Sequence, residues 1–199
     1  AITTSVIASL SSDQISNLST SQISALTSLQ IQALTTAQVN AMHADQIASI
    51  SASGVSALTT TQITGLTAAI DLLAGLSTAQ IPALSAANVA ILTANQLNAL
   101  STTQINSLSA TQAKALSGTQ ITALTTENLV ALSSSAIANL STSALSTIST
   151  TQLQYLTTAQ MQGLTTTAVR ALSTDQIVAL TTAQASSLTT AQISSLTTQ

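Results

Sequence analysis

Cysteine, tryptophan and phenylalanine are absent from this sequence, and most other residues on which binding sites are built are scarce. Lack of cysteine removes disulfides and thiolate metal sites, although it fits any compartment. Tyr155 is the one aromatic residue, so there is no stacking platform for single-stranded nucleic acid. Lys114 and Arg170 are the only cations, they stand far apart, and the net charge is −3. A duplex binder needs clustered Lys and Arg, so nucleic acid is excluded as a partner. No apolar run approaches the roughly 20 residues that cross a bilayer, so no membrane insertion is expected. Nor does the start read as a signal peptide. The chain opens at Ala1 inside a pattern and stops three residues into another copy of it, as a processed piece or an excerpt of a longer array would.

What is present is 45% apolar residues, almost all Leu, Ile, Val and Ala, and 67 Ser or Thr in 199. They are arranged with a period of eight. Large aliphatic anchors fall at every eighth position from Ile2 to Leu66 and again from Leu76 to Leu196, 25 in all, 21 of them Leu. The one irregular unit carries two extra residues within 67–75. The slot after the anchor is Ser or Thr in 24 of 25 copies, His43 being the exception. Four after the anchor comes Gln in 16 of 24 copies, and five after it an apolar residue in 23 of 24, where Asp71 breaks the pattern. Periodicity this regular makes the chain a single octapeptide array over 1–199, with no separate globular domain.

A continuous α-helix is rejected, because eight residues rotate each copy by about 80° from the last and the Leu column would spiral away. A flat strand is rejected because residues five apart point to opposite faces. A β-solenoid with a corner in each copy is the remaining alternative. A short helix fits every slot better. With the anchor just before the N-cap, the Ser or Thr is the cap, and Gln three residues on completes the reciprocal capping box. The anchor and the Ile five later are then the two halves of a hydrophobic staple. The charges agree: Asp13, Asp45, Glu127 and Asp175 share the second helical position, where the helix dipole favours anions, while Lys114 and Arg170 lie in the last turn. The expected fold is therefore all-α, a solenoid or superhelical rod with one very short helix per octad.

A six-residue helix is far below the roughly 12–15 residues at which an isolated helix becomes marginal. The units must stack, and the small residue before each anchor leaves room for close approach. Pro82 is expected to be tolerated near the end of its helix. The ten-residue unit is expected to lengthen its helix and reset the superhelical phase locally. Tyr155 is expected to fill a local gap.

No residue set reads as catalytic, cofactor-binding or metal-binding. A Ser/His/Asp arrangement would need His43 as base with Asp45 or Asp13 as orienter, yet His43 occupies a cap slot and is the only histidine. The carboxylates are spread over equivalent, distant slots and do not converge as metal ligands must. Asp71 reads as a solvent-facing residue at the register break. The chain is not expected to be an enzyme and calls for no cofactor. Its nearly uncharged surface needs another source of solubility. One is self-association into a fibre or lateral packing; another is covalent glycan, since Ser/Thr-rich chains carry O-glycans. The second Thr of each TT pair is free of cap duty, which nominates Thr36, Thr60, Thr102, Thr126, Thr158, Thr166, Thr182 and Thr190 for O-glycosylation.

The phrase L-[ST]-[ST]-x-Q-[IV], as in Leu34 to Val39, Leu180 to Gln184 and Leu188 to Ile193, resembles octapeptide repeat regions of very large secreted or surface, adhesin-like bacterial proteins. The likeness runs along the whole chain. Departures at His43, Gly54, Ile70, Ala136, Ala144 and Ala168 weaken the box locally and leave the register intact. The resemblance implies an extracellular or cell-surface spacer, stalk or filament. The alternative is a surface-binding repeat that meets ice or a polysaccharide with regularly spaced Thr.

Overall fold

The computed structural model describes residues 2–66 and 73–196. Among them the chain forms twenty-two α-helices of five to seven residues, one 3-10 turn and no strand, so the β-solenoid alternative falls. Asp71 and Ile70 lie outside the described residues.

Each octad builds its helix by the capping chemistry its slots prescribe. In the helix Ser28–Ala33, the Thr27 hydroxyl accepts from the Gln30 N–H at 3.3 Å, and Gln30 Oε1 accepts from the Thr27 N–H at 2.8 Å. The same reciprocal pair starts Ser12–Ser16, Ala94–Ala99 and Thr182–Ser187. Where Gly54, Ala136, Ala144 or Ala168 replaces Gln, the cap hydroxyl still accepts but nothing reaches back, and the helix still forms. His43 keeps the other half: its side chain makes no cap bond, while its backbone N–H donates to Gln46 Oε1 at 2.8 Å. Asp13, Asp45, Glu127 and Asp175 all lie in a first turn, and Lys114 and Arg170 in a last turn, as the dipole favours.

The corner between helices needs no left-handed residue. The anchor and the cap are both extended, as at Leu34 (φ −61, ψ 136) and Thr35 (φ −73, ψ 158). The anchor N–H closes the last turn onto the Ile carbonyl three residues back, at 3.2 Å for Leu34 on Ile31. No described residue has a positive φ, which is why a corner every eight residues requires so few glycines.

The described residues fall into two compact units, 1–100 and 101–199. Within each, a helix packs on the third one along the chain. Ser28–Ala33 packs on Ala52–Ala57 in the first unit; in the second, Ala110–Ala115 packs on Ser134–Asn139 and that on Thr158–Gly163. Three octads, 24 residues, therefore make one superhelical coil. The Ile and Leu columns form its core, with Ile31, Ile63, Ile105 and Ile121 almost wholly buried and Leu34, Leu84 and Leu100 nearly so. Burying such side chains is worth about 1.5–3 kcal/mol each, available only once the next coil is in place. The slot before the anchor is indeed a close approach: a Cβ on Gly65 would lie 2.5 Å from the Thr36 Cγ2. Tyr155, in that slot, is 53% exposed and fills no interior gap, because its side chain is too large for the space between coils.

Pro82 changes its unit more than expected. Instead of ending a full α-helix it sits inside a 3-10 turn, Ile81–Ala83, since it offers no N–H to the Thr78 carbonyl. Pro82→Ala is expected to restore an α-helix there and to raise stability by on the order of 1 kcal/mol. A higher urea midpoint with a small gain in helical circular dichroism would show it; an unchanged midpoint would rule it out.

Candidate functional site

The recurring glutamine does more than cap. Its Oε1 faces its own helix start, and its Nε2 points across to the preceding coil. Gln38 Nε2 donates to the Ile7 carbonyl at 2.9 Å and the Leu10 carbonyl at 2.7 Å. Gln62 repeats this on Ile31 and Leu34 at 2.9 and 2.7 Å, Gln176 on Leu145 and Ile148, Gln184 on Leu153 and Leu156, and Gln192 on Met161 and Leu164. In these the partners lie 31 and 28 residues earlier: the carbonyl of the buried aliphatic residue in a helix's last turn and the anchor carbonyl at the corner after it; Gln160 differs, meeting Val130 at 30 and Leu132 at 28. The first of these carbonyls already holds the anchor N–H, as Ile31 holds that of Leu34, while the anchor carbonyl lies past the helix end and has no helical partner; a side chain from the next coil meets both. One amide thus joins a helix start to a helix end in another coil.

These amides are buried, Gln38 and Gln160 to 2% and Gln112 to 1% exposure. A buried amide without partners costs about 1–3 kcal/mol, yet among the described residues the only buried side-chain polar atom with no partner is Asn40 Oδ1. A second set of bonds runs forward 25 residues: Asn40 Nδ2 to the Gly65 carbonyl, Asn106 Nδ2 to that of Ala131 and Gln154 Nε2 to that of Ala179.

The ladder also shows what the ten-residue unit does. Across it the partners lie 33 and 30 residues earlier, as for Gln80 on Ile47 and Ile50, and Asn88 reaches Leu58 at 30. The same slots pair on either side of it, so the ladder keeps its slot-to-slot register there. Any lengthening of that unit's helix lies largely outside the described residues.

The nominated threonines line the outside. Thr60, Thr102, Thr126, Thr158, Thr166, Thr182 and Thr190 are exposed at the first position of their helices; Thr36 is only half-buried, because Gly65 packs close to it. His43 is exposed, with Asp45 exposed beside it in the same first turn and Asp13 in another helix. Among the described residues no group of three His, Cys, Asp or Glu side chains is placed to hold a metal, and no helix is long and apolar enough to cross a membrane.

The model of the ALTTAQ repeat family matches residues 71–102, 94–126, 158–190 and 167–198. Among curated proteins none matches the chain. By its geometry and by this match, the chain is a repeat protein built from stacked octads, similar over those stretches to the ALTTAQ repeat.

Proposed function

We propose that this chain is a structural repeat segment of an extracellular or cell-surface protein, a spacer or filament subunit that carries O-glycans on its outer threonines and has no enzymatic activity. The observation that supports it is the glutamine ladder: the recurring polar side chains are directed into the backbone of the neighbouring coil, and each coil repeats the one before it. Such an array grows by adding units without changing its chemistry. The surface left over is Thr and Ser hydroxyl with few charges, which suits glycan attachment. The extracellular location rests on the resemblance to surface-protein repeats.

Native material viewed by electron microscopy, with mass analysis of peptides from residues 1–199, tests the proposal. Filaments or extended spacers, with peptides that exceed their sequence masses in hexose-sized steps, are the expected result. Peptides that all carry their bare sequence masses would remove the glycan coat.

One observation favours a second reading. Thr102, Thr126, Thr150 and Thr174 are all exposed at the first position of helices that stack one on the next, so the alanines in other copies of this slot do not interrupt that face. An ordered ligand, ice or a polysaccharide, is the matching partner. Thermal hysteresis of the purified chain, or retention on polysaccharide columns, separates this from a purely structural role.

A further inference from the structure

The glutamine ladder is not spread evenly over the second unit. Two consecutive octads carry Ala136 and Ala144 in the slot of the buried amide, both at 0% exposure. Counted back 28 residues, their partners would be the carbonyls of Leu108 and Leu116, which are 4% and 2% exposed and accept no side-chain amide. At the helix starts, the Ser133 and Ser141 N–H groups receive no glutamine oxygen. The third octad of that coil keeps Gln152, but only half-buried. Its Nε2 meets the Ile121 carbonyl at 3.4 Å and that of Thr122 at 3.1 Å, and misses the anchor carbonyl of Leu124.

The forward bonds fail at the same junction. The slot from which Asn106 and Gln154 reach forward holds Lys114, Thr122 and Val130 in the coil before. Among the described residues none of these three bonds forward, and the Thr122 hydroxyl turns back to the Gly118 and Thr119 carbonyls at 3.0 Å each. One bond crosses instead, from the Thr147 hydroxyl to the Gly118 carbonyl at 3.3 Å, shared with the Ala144 carbonyl of its own helix at 2.7 Å. Three long bonds therefore join residues 133–156 to the preceding coil. In the first unit Gln38 and Gln46 alone make five, from 2.7 to 3.1 Å. Gly54 and Ala168 are single gaps, each flanked by glutamines that donate in full.

We propose that the array opens first along this seam, residues 133–156 parting from the coil before them while the other coils stay stacked. Parting two coils uncovers apolar side chains at any junction, here Ile137, Leu145 and Leu153, all at 0% exposure. Elsewhere it also breaks buried amide bonds. At this seam the Leu108 and Leu116 carbonyls and two cap N–H groups gain water on opening, which offsets part of the cost. Units joined only to their neighbours separate at the weakest interface, so the joint is written in the sequence as Ala in place of Gln. Once unseated, helices of five or six residues have no stability of their own. The inference goes beyond the spacer reading and does not rest on it.

Hydrogen exchange of the full 199-residue chain, read residue by residue, is the test. The reporters are N–H groups in one slot, each bonded to its cap carbonyl: Ile137, Leu145 and Leu153 at 2.9 Å in the seam, and Val39, Ile47 and Ile63 at 3.0 to 3.1 Å in the first unit. Corrected for intrinsic rates, the seam set is expected to exchange about ten- to a hundredfold faster, although its own bonds are no longer. Equal or slower exchange would overturn the joint. In the double variant Ala136→Gln with Ala144→Gln, the new amides stand in register with Leu108 and Leu116, and seam exchange should slow towards the first-unit rate. The converse variant, Gln38→Ala with Gln46→Ala, puts the same double gap beside Gly54. It should give Val39 and Ile47 seam-like rates and leave 133–156 as before. Should crowding keep the first variant from folding, the second alone decides the cause. Seam rates unchanged in a folded first variant, or Val39 and Ile47 unchanged in the second, mean that the missing amides do not open the seam, and the proposal falls.

Discussion

Gln62→Leu is expected to lower the stability of its unit by about 3–5 kcal/mol, out of proportion to a change of one uncharged side chain for another of similar volume. Gln62 is 3% exposed. Its loss removes the acceptor of the Thr59 N–H at 2.7 Å and the donor to the Ile31 and Leu34 carbonyls at 2.9 and 2.7 Å. Ile31 keeps the bond from the Leu34 N–H, but the buried Leu34 carbonyl and the half-buried Thr59 N–H are left without these partners, at about 1–3 kcal/mol each. Gln14→Leu is the control: its Nε2 has no partner and its side chain is exposed, so only one cap bond of about 1 kcal/mol is lost. Urea unfolding of both variants gives the comparison, and equal shifts in midpoint would remove the ladder as the source of stability. Gln62→Glu isolates the donor. It keeps the cap but turns a carboxylate towards two carbonyl oxygens, which raises the folded-state pKa of the new carboxyl above its unfolded value near 4.3. A raised carboxyl pKa means stability that is fully present below the unfolded value and lost as pH rises through the folded one. This variant should therefore unfold at lower urea at pH 7 than at pH 4.

That experiment also marks the boundary between what the sequence reveals and what it leaves hidden. The helix per octad is legible because caps are local: Ser11 and Gln14 meet within one turn, and their spacing alone identifies them. The charges are legible for the same reason, since Asp175 and Lys114 respond to the ends of their own helices. The coil of three octads is not legible. It depends on the angle at each Leu–Thr corner, set by two extended residues whose φ and ψ no residue type dictates. One clue to the ladder was nevertheless present. A capping box accepts Glu as readily as Gln, yet the slot holds Gln in sixteen copies and Glu in none, and Glu127 lies one position earlier. A slot that refuses a charge and keeps an NH₂ group is buried and needs a donor. The reading of Pro82 went astray for a related reason: a short helix can spare an N–H only in its first turn, and Pro82 stands beyond it, where its N–H would be owed to the Thr78 carbonyl.

Deletions test the coil itself. Removing residues 149–156 takes out one whole octad and joins Ile148 to the cap Thr157 in phase. Gln160, which donates to the carbonyls of Val130 and Leu132, then stands 31 residues after Ile121, the carbonyl that Gln152 now meets at 3.4 Å. Every later slot finds a partner of the same kind, because pairing counts octads along the chain and all three sides of a coil are equivalent. The shortened chain is expected to fold with little change in stability, as arrays of nearest-neighbour units do. Removing only 149–152 breaks that counting. If the chain stays continuous, Gln160 falls opposite Thr125 and Asn128, at a helix start whose Thr125 carbonyl already holds the Leu129 N–H at 2.9 Å, and Gln176 loses Leu145 and Ile148. If the register is rescued by looping out 153–156, Leu153 and Leu156, buried to 0% and 3% exposure, go into water at about 1.5–3 kcal/mol each. Either route predicts that the smaller deletion is the more damaging by about 3–6 kcal/mol. Urea unfolding of the two shortened chains measures it. The opposite order, with the four-residue deletion better tolerated, would mean that the coils are not held in register by their octads at all.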